Sequence, residues 1–149
     1  MSRSSGSRLL VLVLLIACGA PDEEHFPDDV LRRELGLGDD DRVHTVLVTG
    51  GAAEVSDPAV DTVPAGAWVQ FVSGDWLVHE VSFALDSLSA SSRTFLEGSD
   101  QTSSPPLLQR DARFVVSFEG APPGRYPYLL EGNGGPGGGL IVVVDPGGP

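Results

Sequence analysis

Few residues in this chain can do chemistry. The 149 residues hold one cysteine, Cys18, and three histidines, His25, His44 and His79. Imidazole nitrogen and carboxylate oxygen are the usual donors for a borderline divalent cation, so the acids near each histidine decide what it could do. His79 begins the run HEVSFAL, with Glu80 next to it and Asp75 four residues earlier. His44 sits in VHTVLV, and Glu131 and Asn133 lie in LLEGNGGPGGG near the C-terminus. A site of His79 with some of His44, Asp75, Glu80, Glu131 and Asn133 is chemically allowed, although no spacing dictates it. His25 lies in the acidic stretch GAPDEEHFPDD and reads as a solvated side chain. The nucleophile elbow G-x-S-x-G and the zinc motif HExxH are both absent. The glycines at 132–139 lack the lysine of a phosphate loop and precede a strand-like run, where a phosphate loop would precede a helix.

The N-terminus carries a different signal. Arg3 and Arg8 precede the apolar run from Leu9 to Ala17, nine residues long and too short to span a bilayer. A basic start, a short apolar core and a small residue before a cleavage point make a secretory signal. Leu15-Ile16-Ala17-Cys18 resembles the lipobox of bacterial lipoproteins, which implies that Cys18 is acylated and becomes the mature N-terminus. Gly19 follows it where an aspartate would favour the inner membrane, so the expected location is the outer membrane of a bacterial envelope. Cleavage before Cys18 would leave 21 acids against 7 arginines, with no lysine. Such an acidic surface repels nucleic acid and anionic lipid headgroups. It would also leave no second cysteine for a disulfide.

The elements that must position these residues follow from periodicity and breakers. Residues 18–42 read as tether and short helix, with Pro27-Asp28-Asp29 starting the helix and Gly36 ending it. Strands are expected at 43–48, near 60–63, and at 68–73, 79–85, 113–118, 126–130 and 140–144. One or two helical turns are expected within 87–98. Strands at this spacing with Gly/Pro turns indicate an antiparallel β-sandwich or barrel. The expected divisions are a signal peptide over 1–17, the tether and helix over 18–42, a domain over 43–145, and a frayed end over 146–149. Trp68 reads as core, and Trp76 as packed or at the rim of a site.

The order VPAGAWVQFVSGDWLVHEVSFAL, then RDARFVVSFEGAPPGRYPYLLEGNGGPGGGLIVVV, resembles the cupredoxins, the small copper domains of plastocyanin and azurin type. The likeness spans about 43–145 and implies a Greek-key β-sandwich with one or two short helices. It also implies a type 1 copper site of two imidazoles, a thiolate and an axial thioether. His79 fills the first-histidine position. Leu130, Asn133 and Gly138 stand where the cysteine, second histidine and methionine would be, and Glu80 stands where an asparagine is usual. A thiolate site is excluded by inventory. The expectation is therefore a monomeric, lipid-anchored binding or interaction module with no cofactor and a degenerate copper site. The alternative is a copper-binding protein, for electron transfer or copper handling, using His79 with nitrogen and oxygen donors such as His44, Glu80 and Glu131. An envelope enzyme is a third reading without positive support.

Overall fold

The computed structural model describes residues 27–147; Cys18, His25 and the signal-like segment lie outside them. Helix α1, Asp29–Leu35, starts where the acids predict. The Asp28 carboxylate accepts the Val30 and Leu31 N–H groups, and Gly36 closes the helix in the left-handed conformation at φ 66°. Leu31 is buried, and Asp28 also pairs with Arg113 at 2.9 Å, so α1 is fixed to the domain.

Eight strands follow: β1 Val43–Thr49, β2 Val55–Asp57, β3 Val60–Pro64, β4 Trp68–Ser73, β5 His79–Phe83, β6 Arg113–Ser117, β7 Gly124–Gly132 and β8 Gly137–Val144. They form two four-stranded sheets, ordered β2-β1-β4-β6 and β3-β8-β7-β5. The sandwich is as expected, but its pairing is mixed, since β1 runs parallel to β4 and β3 parallel to β8. Strand β2 has only three residues and was not separable by pattern from the 50–66 connection. Leu85 leaves β5 for a 3-10 turn, Leu85–Ser87. Helix α2, Ala90–Gly98, is capped by Ser89, whose side chain accepts the Ser92 N–H.

Alternation along the strands makes the core. Val46, Val48, Val69 and Phe71 from one sheet meet Val81, Phe83, Tyr126, Tyr128, Leu130 and Ile141 from the other. Phe71 meets Tyr128 edge-on at 4.9 Å between ring centroids, and Phe118 meets Tyr126 in the same way at 5.2 Å. The outer edge of β5 is covered, because His79 and Leu107 exchange backbone hydrogen bonds and Phe83 N–H reaches Thr102 O. That cover removes an open strand edge and packs one more chain segment beside His79.

The largest departure from expectation is the glycine stretch. It is not a loop over 132–139. Strand β7 extends to Gly132 and β8 begins at Gly137, leaving a turn of four residues. Gly138 is a ladder residue opposite Leu129, three pairs along the ladder from His79 opposite Gly132. It therefore does not occupy a ligand position near His79.

Candidate functional site

Three elements converge at the end of the sandwich where β1 finishes, β5 starts and β7 turns into β8. His79 is the first residue of β5, and alternation with Val81 and Phe83 turns it inward, where it is fully buried. Both ring nitrogens have carboxylate partners. Nδ1 lies 2.6 Å from Glu54 Oε2, and Nε2 lies 2.8 Å from Asp75 Oδ1. Contacts that short between atoms bearing lone pairs require a proton in each.

The two acids are held differently. Asp75 is partly exposed and anchors a bend. Its Oδ2 accepts the Gly50 N–H at 2.8 Å and its Oδ1 accepts the Leu77 N–H at 2.8 Å. Burial pushes the Asp75 carboxyl up, but the Gly50 and Leu77 N–H groups, with the His79 ring, outweigh it and hold the carboxyl below its usual range. Glu54 has no exposed side-chain surface, and its second oxygen, Oε1, has no hydrogen-bond partner. A buried carboxylate is stable only where it is paired, so the bond to His79 is the main compensation for placing Glu54 there.

Glycines make the room. A Cβ at Gly132 would stand 2.2 Å from Glu54 Oε1 and 2.6 Å from the Val78 carbonyl oxygen, and a Cβ at Gly137 would stand 2.0 Å from the Glu54 carbonyl oxygen. The backbone of 52–54 is also laced to the turn. Glu54 N–H donates to Gly135 O at 2.8 Å, and Gly135 N–H donates to Ala52 O at 2.9 Å. The glycine stretch is shaped around the chain's own Glu54 segment.

Of the residues singled out in the sequence, the fold brings only Asp75 to His79. His44 faces the other end of the sandwich, with Nδ1 3.1 Å from Asp61 Oδ2 on β3. Six residue steps along the chain separate it from Gly50, whose missing Cβ would meet His79 Cε1 at 3.3 Å; at roughly 3.3 Å per step that is about 20 Å. Glu80 and Glu131 are cross-strand partners, both exposed, with side chains alternating away from the inward-facing His79. Asn133 is exposed in the turn. Leu130 is fully buried opposite Val81, an apolar core residue as its position on the tyrosine face implies. Glu54 is the residue that sequence reasoning missed. Its one signal is the run of small residues Gly50-Gly51-Ala52-Ala53 before it, which allows a close backbone approach.

A type 1 copper ion does not fit these residues. Both nitrogens of His79 are engaged, the glycine-lined space beside it is filled by Glu54, and positions 130, 133 and 138 supply neither sulfur nor imidazole. Among the described residues no group of three or more His, Cys, Asp or Glu is arranged to hold a metal ion.

No protein family and no curated protein matches the sequence. Solved structures do resemble the fold. A reduced amicyanin variant is 16% identical with a TM-score of 0.47, over 74% of this chain and 88% of its own. A purple cupredoxin from Nitrosopumilus maritimus is 19% identical with a TM-score of 0.45, over 68% of this chain and 99% of its own. A Cu-containing nitrite reductase from Thermus scotoductus SA-01 is 21% identical with a TM-score of 0.49, over 74% of this chain but only 24% of the reductase. The architecture is a β-sandwich of two four-stranded sheets, with Glu54 seated beside the inward-facing histidine.

Proposed function

We propose that this chain is a lipid-anchored, cupredoxin-like binding module of a bacterial envelope, in which the histidine at the copper position serves as an internal brace. The observation that carries the reading is the double engagement of His79 by Glu54 and Asp75. A histidine kept for copper presents one nitrogen to the metal and uses the other for orientation. Here freeing Nδ1 breaks the buried pair with Glu54, a loss that typically costs about 3–5 kcal/mol, and freeing Nε2 breaks the contact with the partly exposed Asp75. The lipobox-like Leu15–Cys18 supports an anchor at Cys18, with the acidic sandwich held off the membrane by a short tether.

Titration of the mature chain with Cu(II), followed by calorimetry and the visible spectrum, tests the first part. The expected result is no intense band near 600 nm and no sub-micromolar binding. Tight binding abolished by His79→Ala would replace the reading with a copper-handling one. One observation favours that second reading: Glu54 Oε1 is buried without a partner, as an oxygen awaiting a cation would be. The anchor is tested by Cys18→Ser, which should move the protein from the membrane fraction to the soluble one. Retention in the membrane would remove the lipoprotein part.

A further inference from the structure

The brace around His79 ends at a surface feature that a merely structural cluster does not require. Directly after Asp75 come Trp76, Leu77 and Val78, three apolar residues in succession on a bend, all exposed, with Trp76 75% accessible. Surface apolar residues scattered singly are ordinary, whereas a contiguous set led by tryptophan is the composition of an interaction hot spot. Leu47 extends the set. It is exposed on β1 and lies over Gly74, whose missing Cβ would meet Leu47 Cδ1 at 3.0 Å. Leu77 rests against Gly50 in the same manner, at 2.8 Å.

The bend is fixed at both ends. Asp75 accepts the Leu77 N–H, ties the bend to Gly50 and bonds His79, while the Ser73 hydroxyl donates to Asp75 O at 3.1 Å. His79 is fixed in turn by Glu54. A loop held this way loses little conformational entropy when a partner covers it, and that preorganisation favours affinity. Acids flank the patch on the face of the β1 sheet. Asp57 lies opposite Leu47, and Asp111 is tied through its N–H to Ser73 O; Glu80, two residues after Val78, points out of the opposite sheet. Arg110 adjoins Asp111 in sequence, and Arg113, in the row of Leu47 and Val72, is paired with Asp28. A second copy of this chain would set acid against acid, and an anionic lipid surface would be repelled.

We infer that Leu47 and the Trp76–Leu77–Val78 bend form a preorganised docking surface for a partner protein segment that is apolar at its centre and basic at its rim. Asp75, His79 and Glu54 are its positioning residues. The inference rests on the binding-module reading and names the surface that the module uses.

The test uses the mature chain and a synthetic amphipathic peptide with leucine and tryptophan on one face and arginine on the other. A twin peptide with glutamate in place of arginine serves as control. Backbone amide shifts should move at residues 47, 74–80 and 131–133 with the basic peptide and not with its acidic twin. Trp76→Ser should weaken binding at least tenfold without altering the fold, because the side chain is exposed. Asp75→Ala should speed hydrogen exchange at the Gly50 and Leu77 amides and weaken binding, and Asp75→Asn should restore part of both. If the Asp75 variants unfold, Trp76→Ser decides alone. The inference is overturned by equal affinity of Trp76→Ser, by shifts that map elsewhere, by no binding at millimolar peptide, by concentration-dependent dimerisation through these residues, or by their binding to anionic vesicles. Peptide failure with no copper binding removes only this surface, whereas tight His79-dependent copper binding removes the module reading beneath it.

Discussion

Replacing Gly132 with alanine adds one methyl group and should be among the most damaging small changes available to this domain. The new Cβ would meet Glu54 Oε1 at 2.2 Å, Glu54 Cδ at 2.7 Å and the Val78 carbonyl oxygen at 2.6 Å. The carbonyl belongs to the backbone next to β5 and cannot rotate away. Glu54 would have to leave, and its departure strands His79 Nδ1 in the interior. Overpacking alone costs about 1–3 kcal/mol, and breaking a buried ion pair about 3–5 kcal/mol. The two overlap, because moving Glu54 relieves part of the clash, so the net loss should be about 3–5 kcal/mol. With an unfolding entropy of roughly 2 cal/mol/K per residue, that corresponds to a fall in Tm of about 10–18 °C for a chain of this size. Gly98→Ala is the matched control. Gly98 ends α2 and has nothing within 4 Å of its missing Cβ, so the same substitution should stabilise by about 0.5 kcal/mol through helix propensity. Urea and thermal unfolding of both variants check the pair. A Gly132→Ala protein within about 0.5 kcal/mol of the parent, the ordinary range for surface substitutions, would refute the placement of Glu54 against Gly132.

The acid limb of stability should carry the signature of Asp75 and Asp28. The N–H groups of Gly50 and Leu77 and the His79 ring outweigh burial to lower the Asp75 carboxyl. The Leu31 N–H leads in lowering that of Asp28, against burial and with help from Arg113. A carboxyl lowered on folding contributes stability that is present above the unfolded-state value, about 3.9, and is lost as pH falls through the folded-state value. Urea midpoints should therefore hold between pH 7 and 5 and fall below about pH 4, with a shallower fall in Asp75→Asn; an unchanged acid slope would separate Asp75 from the network. Asp28→Ala removes the acceptor for the Val30 and Leu31 N–H groups and should cost about 1 kcal/mol in denaturant titration. Tyr126→Phe should cost a similar amount, about 1 kcal/mol, because the Tyr126 hydroxyl donates to the Pro122 carbonyl at 2.7 Å inside the core.

Much of the scaffold was legible because it depends on local rules. Alternation in HEVSF put Val81 and Phe83 inside, and Asp28 announced a helix start that the backbone then makes. In WVQFVS the face is the reverse of the expected one, since Trp68, read as core, lies on the outer face while Val69 and Phe71 are buried. Strand β2 escaped because three residues carry too little periodicity to be seen. The glycine stretch misled for a related reason. Gly137 to Gly139 offer no side chains to alternate, yet they are strand residues because Glu54 and Tyr128 occupy the space that side chains would need. The site was half legible. The inward direction of His79 follows from parity on β5, and Asp75 lies four residues before it in the same bend. Glu54 reaches His79 across the sandwich end from a segment 25 residues away, and no local pattern encodes that pairing. His44 shows the converse limit, since parity left it either inward or on a covered edge, and its position along β1 sent it to Asp61 at the far end.

The central claim is that His79 is braced by two carboxylates and is not held open for copper. Long-range ¹H–¹⁵N spectra of the imidazole in the mature chain, recorded with and without one equivalent of Cu(II), test it most directly. The account predicts that both ring-nitrogen resonances are unchanged by the added copper. A ring-nitrogen resonance that broadens away when Cu(II) is added would contradict it.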